Sequence, residues 1–326
     1  MKTVLKRVLG CMTFLALLAL SLHRTTDILT PKAENRYYML EKYLKENDKF
    51  YDIQVFGSCH SYTSFNPLKL EEVTGVSGFV YGNAGEIIPT TYVRMCEQFK
   101  KHTPKVAFVE IWGINPYETY STQERVFGFY FQNNVERLPF SIEKCEVITD
   151  FETLTMGKMS FPIASYKDRL LDESLCKVDF NYSFAALEAY SSEYVYEEMT
   201  SRLMMNGFKC NPSKDISNYP EKQTVIEAGE MVEIEPDIVK YICKIIDLCA
   251  EKDVKLVFYR SPYLSTANEL KKLNHLRSIC SESGVDFVDL EPVIEWDYKV
   301  DFLDYEHLSE TGANKATEYL SRFVTE

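Results

Sequence analysis

The stretch Asp52-Ile-Gln-Val-Phe-Gly57-Ser58-Cys59-His60 decides how this chain is expected to fold. Its mostly apolar residues 53–56 predict a short buried strand, and Gly57 predicts a tight turn directly after that strand. The turn carries two possible nucleophiles, the hydroxyl of Ser58 and the thiol of Cys59. An imidazole can activate either group at such a turn. The stretch therefore predicts the first strand of a sheet and a reactive site at its end.

A partner for these nucleophiles lies near the other end of the chain, in Asp304-Tyr-Glu-His307-Leu. An acid three residues before a histidine can orient the imidazole and stabilise its charge. Other roles are open: Asp304 could cap the helix predicted after Ser309, Asp301 is a rival acid, and His307 could be an ordinary surface residue. The hypothesis is that the two ends of the chain fold into one pocket.

Strand-like runs recur along the chain and alternate with helical patterns. Further strands are predicted at residues 78–81, 106–111, 255–259 and 285–290, and helices at 91–101, 238–251 and 268–282. This alternation predicts an α/β fold with a mainly parallel sheet. Ligands of such sheets bind outside the carboxyl ends of the strands, which is where Gly57-Ser58-Cys59 falls.

The first 24 residues differ in composition from the rest. Lys2, Lys6 and Arg7 precede an apolar run of about 15 residues, 8–22, as in an export signal. The run is short against the roughly 20 residues that span a bilayer, so a cleaved signal peptide and an uncleaved anchor are both open. We favour an anchor, because no clean cleavage site follows Leu22. The basic residues place the N-terminus in the cytoplasm and the remainder outside, or secreted if the signal is cleaved.

The remaining chain divides into a stalk and one large domain. Residues 25–50 are polar, with a helix predicted from about Glu34 to Lys45, and are interpreted as the stalk. Residues 51–326 are interpreted as the domain. Its alternation is interrupted at about 120–232, a region rich in Tyr and Phe. This insertion either covers the pocket and shapes an acceptor site or completes the core.

Composition excludes some classes of protein. The formal net charge is −13 and the pI is near 5.0, and no basic stripe is visible, so nucleic acid is not an expected partner. The nine cysteines form no CxxC pair, which argues against a zinc ribbon or a thioredoxin-type motif. An odd number spread over a large exported domain does not resemble a disulfide framework.

Four blocks of sequence resemble the SGNH/GDSL hydrolase superfamily, whose domain is a flavodoxin-like three-layer α/β/α fold. They are Gly57-Ser58-Cys59, Tyr81-Gly82-Asn83-Ala84-Gly85, Gly113-Ile114-Asn115 and Asp304…His307, in that order. The resemblance covers about residues 51–118 and 250–326. It implies that His307 is the base, that Asp304 orients it, and that Gly85, Asn115 and Asn83 form the oxyanion or substrate-binding side.

The chain departs from the family at the nucleophile. The family places serine at the third position of the first block, and here that position holds Cys59. Three hypotheses follow: Cys59 is the nucleophile, Ser58 has taken that role, or the site is inactive. A helix N-terminus and a nearby imidazolium both favour the thiolate form of a cysteine.

Within the superfamily, the chain looks most like cell-surface members that resemble the D-alanyl transfer protein of lipoteichoic acid synthesis and polysaccharide O-acylation proteins. This resemblance implies a membrane-anchored acyl hydrolase or O-acyltransferase that acts on a cell-surface glycan or teichoic acid. It also implies a multi-spanning membrane acyltransferase as partner, and neither a metal nor an organic cofactor. The alternative is an inactive glycan-binding or assembly-scaffold protein that keeps the fold without the chemistry.

Overall fold

The computed structural model describes residues 2–29, 40, 43, 49–114, 134–135, 138, 141–150, 200–217 and 229–325. The strands are β1 (Ile53–Phe56), β2 (Gly78–Val80), β3 (Val106–Glu110), β4 (Lys255–Arg260) and β5 (Asp286–Asp289). The helices are α1 (Lys2–Leu29), α2 (Cys59–Ser64), α3 (Pro67–Thr74), α4 (Ile88–Lys101), α5 (Ile142–Asp150), α6 (Pro236–Glu251), α7 (Ala267–Ser283), α8 (Leu290–Val293), α9 (Glu310–Leu320) and α10 (Arg322–Thr325). A 3-10 turn, Trp112–Ile114, follows β3.

The strands form one parallel sheet in the order β2-β1-β3-β4-β5. This is the flavodoxin-like order, in which the order of the strands reverses between β1 and β3. Ile53 lies opposite both Gly78 and Val106, so the carboxyl ends of β1, β2 and β3 reach the same edge. The predicted strands and the predicted three-layer α/β/α fold class are confirmed.

Each face of the sheet is covered by helices because side chains alternate along every strand. Val55, Phe108 and Val257 pack on one side with the apolar residues of α3 and α9. Phe56, Val109 and Phe258 point to the other side, where α4, α6 and α7 supply the core. The central strands are buried on both faces, which explains why they appear as continuous apolar runs in the sequence.

The N-terminal segment forms α1, whose described side chains, including Leu9, Phe14 and Leu17, are exposed. Among the helices that the structure describes, none combines the length and the apolar character needed to cross a membrane. The stalk helix predicted at about Glu34–Lys45 lies outside the described residues, apart from Leu40 and Tyr43, which are helical. The proposed domain boundaries stay predictions.

Parts of the predicted insertion at 120–232 contribute to the core. Val147 of α5 is buried, and α5 packs beside α4 and α6. Lys240 and Tyr241 of α6 both bind the carboxylate of Asp150, at 2.7 and 2.6 Å. Leu203 is likewise buried in the same cluster. These segments therefore complete the core, one of the two roles expected for the insertion, while residues 151–199 lie outside the described part.

The turn after β1 depends on glycine, and its effect on stability can be measured. Gly57 has φ +128°, and a Cβ there would lie 2.8 Å from the carbonyl oxygen of Glu110 and 2.9 Å from its Cβ. We expect Gly57→Ala to lower the free energy of unfolding by at least about 1–3 kcal/mol, the cost of a backbone held in such a region. Urea denaturation measures the loss.

Gly75 provides the matched control. It also has positive φ, +70°, but no atom lies within 4 Å of a Cβ built there. Gly75→Ala should therefore cost less, because only the left-handed conformation opposes it. Equal losses in the two variants would show that the contact with Glu110 contributes nothing to the turn.

Candidate active site

The two possible nucleophiles in the turn after β1 occupy different environments. Ser58 is completely buried and is the N-cap of α2, where its Oγ accepts from the His60 N–H at 3.2 Å. Cys59 is the first residue of α2 and is partly exposed. Since an acyl group must reach the nucleophile from solvent, this geometry favours the thiol over the hydroxyl.

The predicted acid and base lie together in the loop before α9. The Nδ1 of His307 lies 3.0 and 3.2 Å from the two carboxylate oxygens of Asp304. Asp304 Oδ1 also accepts from the backbone N–H groups of Glu306 and His307, each at 2.8 Å, and this fixes the carboxylate. With Nδ1 bonded to the acid, Nε2 of His307 is left for a second partner.

The alternative roles considered for the acids are settled by their contacts. Ser309, and not Asp304, caps α9, because its Oγ accepts from the Gly312 N–H at 3.3 Å. Asp301 is buried, and its Oδ2 accepts from Lys315 Nζ at 2.6 Å. The backbone N–H of Asp297 donates to the same oxygen at 2.7 Å. Asp301 is thus bound to Lys315, whereas Asp304 is the acid beside His307.

Cys59 is in contact with His307, and the contacts of the imidazole control its charge. Burial alone would lower the pKa of His307, but bonding to Asp304 and to the Cys59 thiol raises it to about 10. Burial would raise the pKa of Asp304, yet its bonds to His307 and to backbone N–H groups hold the pKa at about 2. At neutral pH the pair is therefore an imidazolium and a carboxylate.

A buried polar network, which the sequence interpretation missed, lies behind the nucleophile. The Ser58 hydroxyl donates to Glu110 Oε2 at 2.7 Å, and the Trp112 N–H donates to Oε1 at 2.9 Å. Burial raises the pKa of Glu110 to about 7, although these hydrogen bonds oppose the rise. The signal was present in the sequence: Glu110 is the one charged residue in the apolar run 106–111. An acid at the buried end of a strand needs partners.

His60 connects this network to His307. Its Nδ1 lies 3.0 Å from Ser58 Oγ, and its ring lies nearly parallel to that of His307, with centroids 5.2 Å apart. Because Ser58 already gives its proton to Glu110, His60 Nδ1 is the donor to Ser58. Burial, followed by the charge of His307, lowers the pKa of His60 well below its usual value. The structure therefore places a neutral imidazole against a charged one.

The loop after β2 carries the predicted oxyanion residues and is tied to the nucleophile turn. The Asn83 N–H donates to the Gly57 carbonyl at 3.0 Å, and the Asn83 side-chain amide donates to Asn134 Oδ1 at 2.6 Å. Gly85 has φ +64° and is buried. Asn115 lies outside the described residues. The structure thus brings Asn83 to the turn through its backbone, with its side chain bound to Asn134.

Residues from other segments hold this loop in place. Glu86 is paired with Arg94 of α4 at 2.8 Å, and both side chains are buried. Arg202 donates to the Gly82 carbonyl at 3.2 Å, and its guanidinium lies 3.8 Å from the centroid of the Tyr62 ring. Neither Asn134 nor Arg202 could be assigned to the site from sequence, because both come from the predicted insertion.

Comparisons with known proteins add little beyond the fold. No family model matches the chain, and no curated protein is similar to it in sequence. Among solved structures, a protein assigned to the G-D-S-L lipolytic family from Desulfitobacterium hafniense is 9% identical, with a TM-score of 0.41, over 83% of this chain and 98% of its own. A GDSL-like lipase from Bacteroides thetaiotaomicron is 9% identical, with a TM-score of 0.37, over 90% and 96%. Likeness at this level does not transfer an activity.

The contact between Asp304 and His307 predicts how the imidazole titrates. We expect Asp304→Asn to lower the pKa of His307 from about 10, because burial then acts with less opposition. A two-dimensional NMR titration of the histidine ring protons measures the pKa directly, without a substrate.

Glu295→Gln is the control, since Glu295 is an exposed acid on the neighbouring segment. It should leave the titration of His307 unchanged. If His307 titrates alike in the wild type and in Asp304→Asn, the carboxylate does not control its charge.

Proposed function

We propose that this protein is an acyl hydrolase or O-acyltransferase whose nucleophile is Cys59. The observation that carries the proposal is the contact between the Cys59 thiol and an imidazole that Asp304 holds by Nδ1. Nucleophilic acyl transfer requires a nucleophile, a base and an acid that orients the base, and these three residues match that set. Its position at the carboxyl edge of the sheet, beside the strand-order reversal, is where open α/β sheets bind ligands.

The reaction proceeds in two steps in this proposal. In the first, which starts with the Cys59 proton already on His307, the Cys59 thiolate sulfur bonds to the acyl carbonyl carbon, the bond from that carbon to the leaving oxygen breaks, and the His307 imidazolium protonates the leaving group. In the second, neutral His307 takes a proton from water or from a sugar hydroxyl. The oxygen then attacks the thioester carbon, and the Cys59 thiolate leaves. Water gives hydrolysis, and the sugar hydroxyl gives transfer.

Stabilisation of the oxyanion is assigned to the loop after β2 and to Asn115. The backbone N–H of Gly85 and the side chain of Asn115 are the proposed donors. The Glu86–Arg94 pair supports this assignment, because it holds the loop rigidly on α4. Asn83 positions this loop and is not itself a proposed donor, because its backbone N–H is bonded to the Gly57 carbonyl and its side-chain amide to Asn134.

The proposed substrate is a cell-surface glycan or teichoic acid, and a multi-spanning membrane acyltransferase is the proposed partner. Supporting observations are the basic residues before the apolar run of α1 and the exposed apolar side chains on that helix. Trp112, partly exposed beside His60, offers a flat apolar surface on which a sugar ring can rest. The glycan, the partner and the membrane attachment rest on resemblance to the cell-surface branch.

Substitutions at residues 58 and 59 test the mechanism. Cys59→Ala should lower kcat/KM for an activated acyl ester by at least about 10³-fold, because the acyl acceptor is lost. Cys59→Ser should retain part of the activity. Ser58→Ala should retain most of it, although loss of the helix cap lowers stability by about 0.5–2 kcal/mol. Cys243→Ser, at an exposed cysteine elsewhere, is the matched control.

Two outcomes would contradict this assignment. Loss of activity in Ser58→Ala with full activity in Cys59→Ala would move the nucleophile one residue upstream. Activity that survives both changes, with no labelling of Cys59 by iodoacetamide or of Ser58 by a fluorophosphonate, would favour the inactive scaffold.

Membrane attachment is tested separately. If α1 anchors the protein with its basic end inside, protease added to intact spheroplasts should degrade the chain after about residue 25. A cytoplasmic marker protein should stay intact in the same sample. Full protection of the domain until the membrane is permeabilised would contradict the proposed orientation.

A further inference from the structure

Beside the proposed nucleophile, several side chains that bind metals converge. One donor atom each from His60, Glu306 and His307 lies within 4.8 Å of the others. Cys59 Sγ is not one of these three donors, but it is in contact with His307 and lies 3.9 Å from the other ring nitrogen of His60, Nδ1. Imidazole nitrogen, thiolate sulfur and carboxylate oxygen are the ligands that Zn²⁺ takes in proteins. The acyl-transfer chemistry has no use for the carboxylate of Glu306.

The second, independent observation is that His60 carries a buried nitrogen without a partner. His60 is fully buried, and within the described residues its Nε2 has no hydrogen-bond partner. The Glu306 backbone lies near this ring and favours its protonated form. It does not, however, form a hydrogen bond with Nε2. A buried polar nitrogen left in this condition is costly, and a bound cation would satisfy it.

The rings of both histidines are also oriented by hydrogen bonds of the kind that orient metal-binding histidines. A ligating imidazole normally donates its other ring N–H to a carboxylate or another fixed acceptor. His307 Nδ1 binds Asp304 at 3.0 Å, and His60 Nδ1 binds Ser58 Oγ at 3.0 Å, which in turn donates to Glu110. In each case a carboxylate fixes the ring, directly or through one hydroxyl, and Nε2 is the nitrogen left over.

We infer that His60, His307, Glu306 and Cys59 form a binding site for a thiophilic divalent cation, Zn²⁺. Bonds of about 2.0–2.3 Å put tetrahedral ligands roughly 3.4 Å apart, so donors that lie as much as 4.8 Å apart must close in by up to about 1.4 Å. Glu306 is exposed, so its carboxylate can swing toward the two imidazole rings, whose orientations are fixed. The cation displaces the proton of the His307 imidazolium and binds this imidazole and the Cys59 thiolate together, so bound zinc closes the site to acyl groups.

Calorimetric titration of the full chain with zinc chloride tests the site without any acyl substrate. The wild type should bind one Zn²⁺ at this site, and Glu306→Gln should weaken binding by about 10-fold or more, in the range that metal-site substitutions cause. His60→Gln should weaken it similarly. Glu295→Gln, an exposed glutamate on the adjacent segment and outside the cluster, should bind as the wild type does.

A second readout separates this site from zinc held by other cysteines. Zinc should protect Cys59 from alkylation by iodoacetamide in the wild type and in Glu295→Gln, and protect it at least about 10-fold less in Glu306→Gln. Glu306→Gln changes an exposed side chain, so it stays informative even if the buried His60→Gln fails to fold.

Absence of binding at about 100 μM Zn²⁺, or equal affinity in the wild type and Glu306→Gln, would overturn the inference. Neither result depends on turnover, so a failure of the proposed acyl chemistry is detected separately, by the substitutions at residues 58 and 59.

Discussion

The close approach of the β1 turn to the end of β3 is the constraint on which the site depends. Residue 57 lies so near Glu110 that only glycine fits, and this contact brings the Ser58 hydroxyl within 2.7 Å of the Glu110 carboxylate. Once that hydroxyl is buried and bound, the next side chain along, Cys59, is the one that faces outward toward His307. Packing therefore buries one of the two adjacent candidate nucleophiles and leaves the other partly exposed.

Electrostatics divide the two imidazoles into different roles. His307 has a carboxylate on Nδ1 and is also in contact with the Cys59 thiol, and together these outweigh the effect of burial on its pKa. His60, two bonds of the network away from Glu110, is fully buried and lies near the charges of His307 and Arg260, so its neutral form is favoured. A charged ring and a neutral ring can share a face at 5.2 Å, whereas two charged rings there would repel.

The long insertion is part of the structural support of the site. Through Asn134 and Arg202 it binds the loop that follows β2, and through α5 it covers α4 and α6. The loop is also tied to the nucleophile turn by a backbone hydrogen bond. The insertion thus holds the loop at one side chain, that of Asn83, and at one main-chain carbonyl, that of Gly82.

Sequence alone determined the fold class and the two ends of the site. The runs 53–56, 106–111 and 255–259 predicted buried parallel strands because residues covered on both faces must be apolar throughout. The spacing of Asp304 and His307 likewise predicted their contact, since three residues of a tight loop bring the two side chains together. Both predictions concern residues that are close together in the chain, so the local sequence was sufficient to make them.

Only the tertiary structure decided what surrounds these residues. That Ser58 is buried on Glu110, that Asp301 binds Lys315, and that His60 lies against His307 all depend on contacts between segments far apart in the chain. Sequence spacing carries no information on such distances, because folding sets them through the sheet order and the packing of helices on its faces. The polar network behind Cys59, and with it the unpaired nitrogen of His60, exists only once those segments meet.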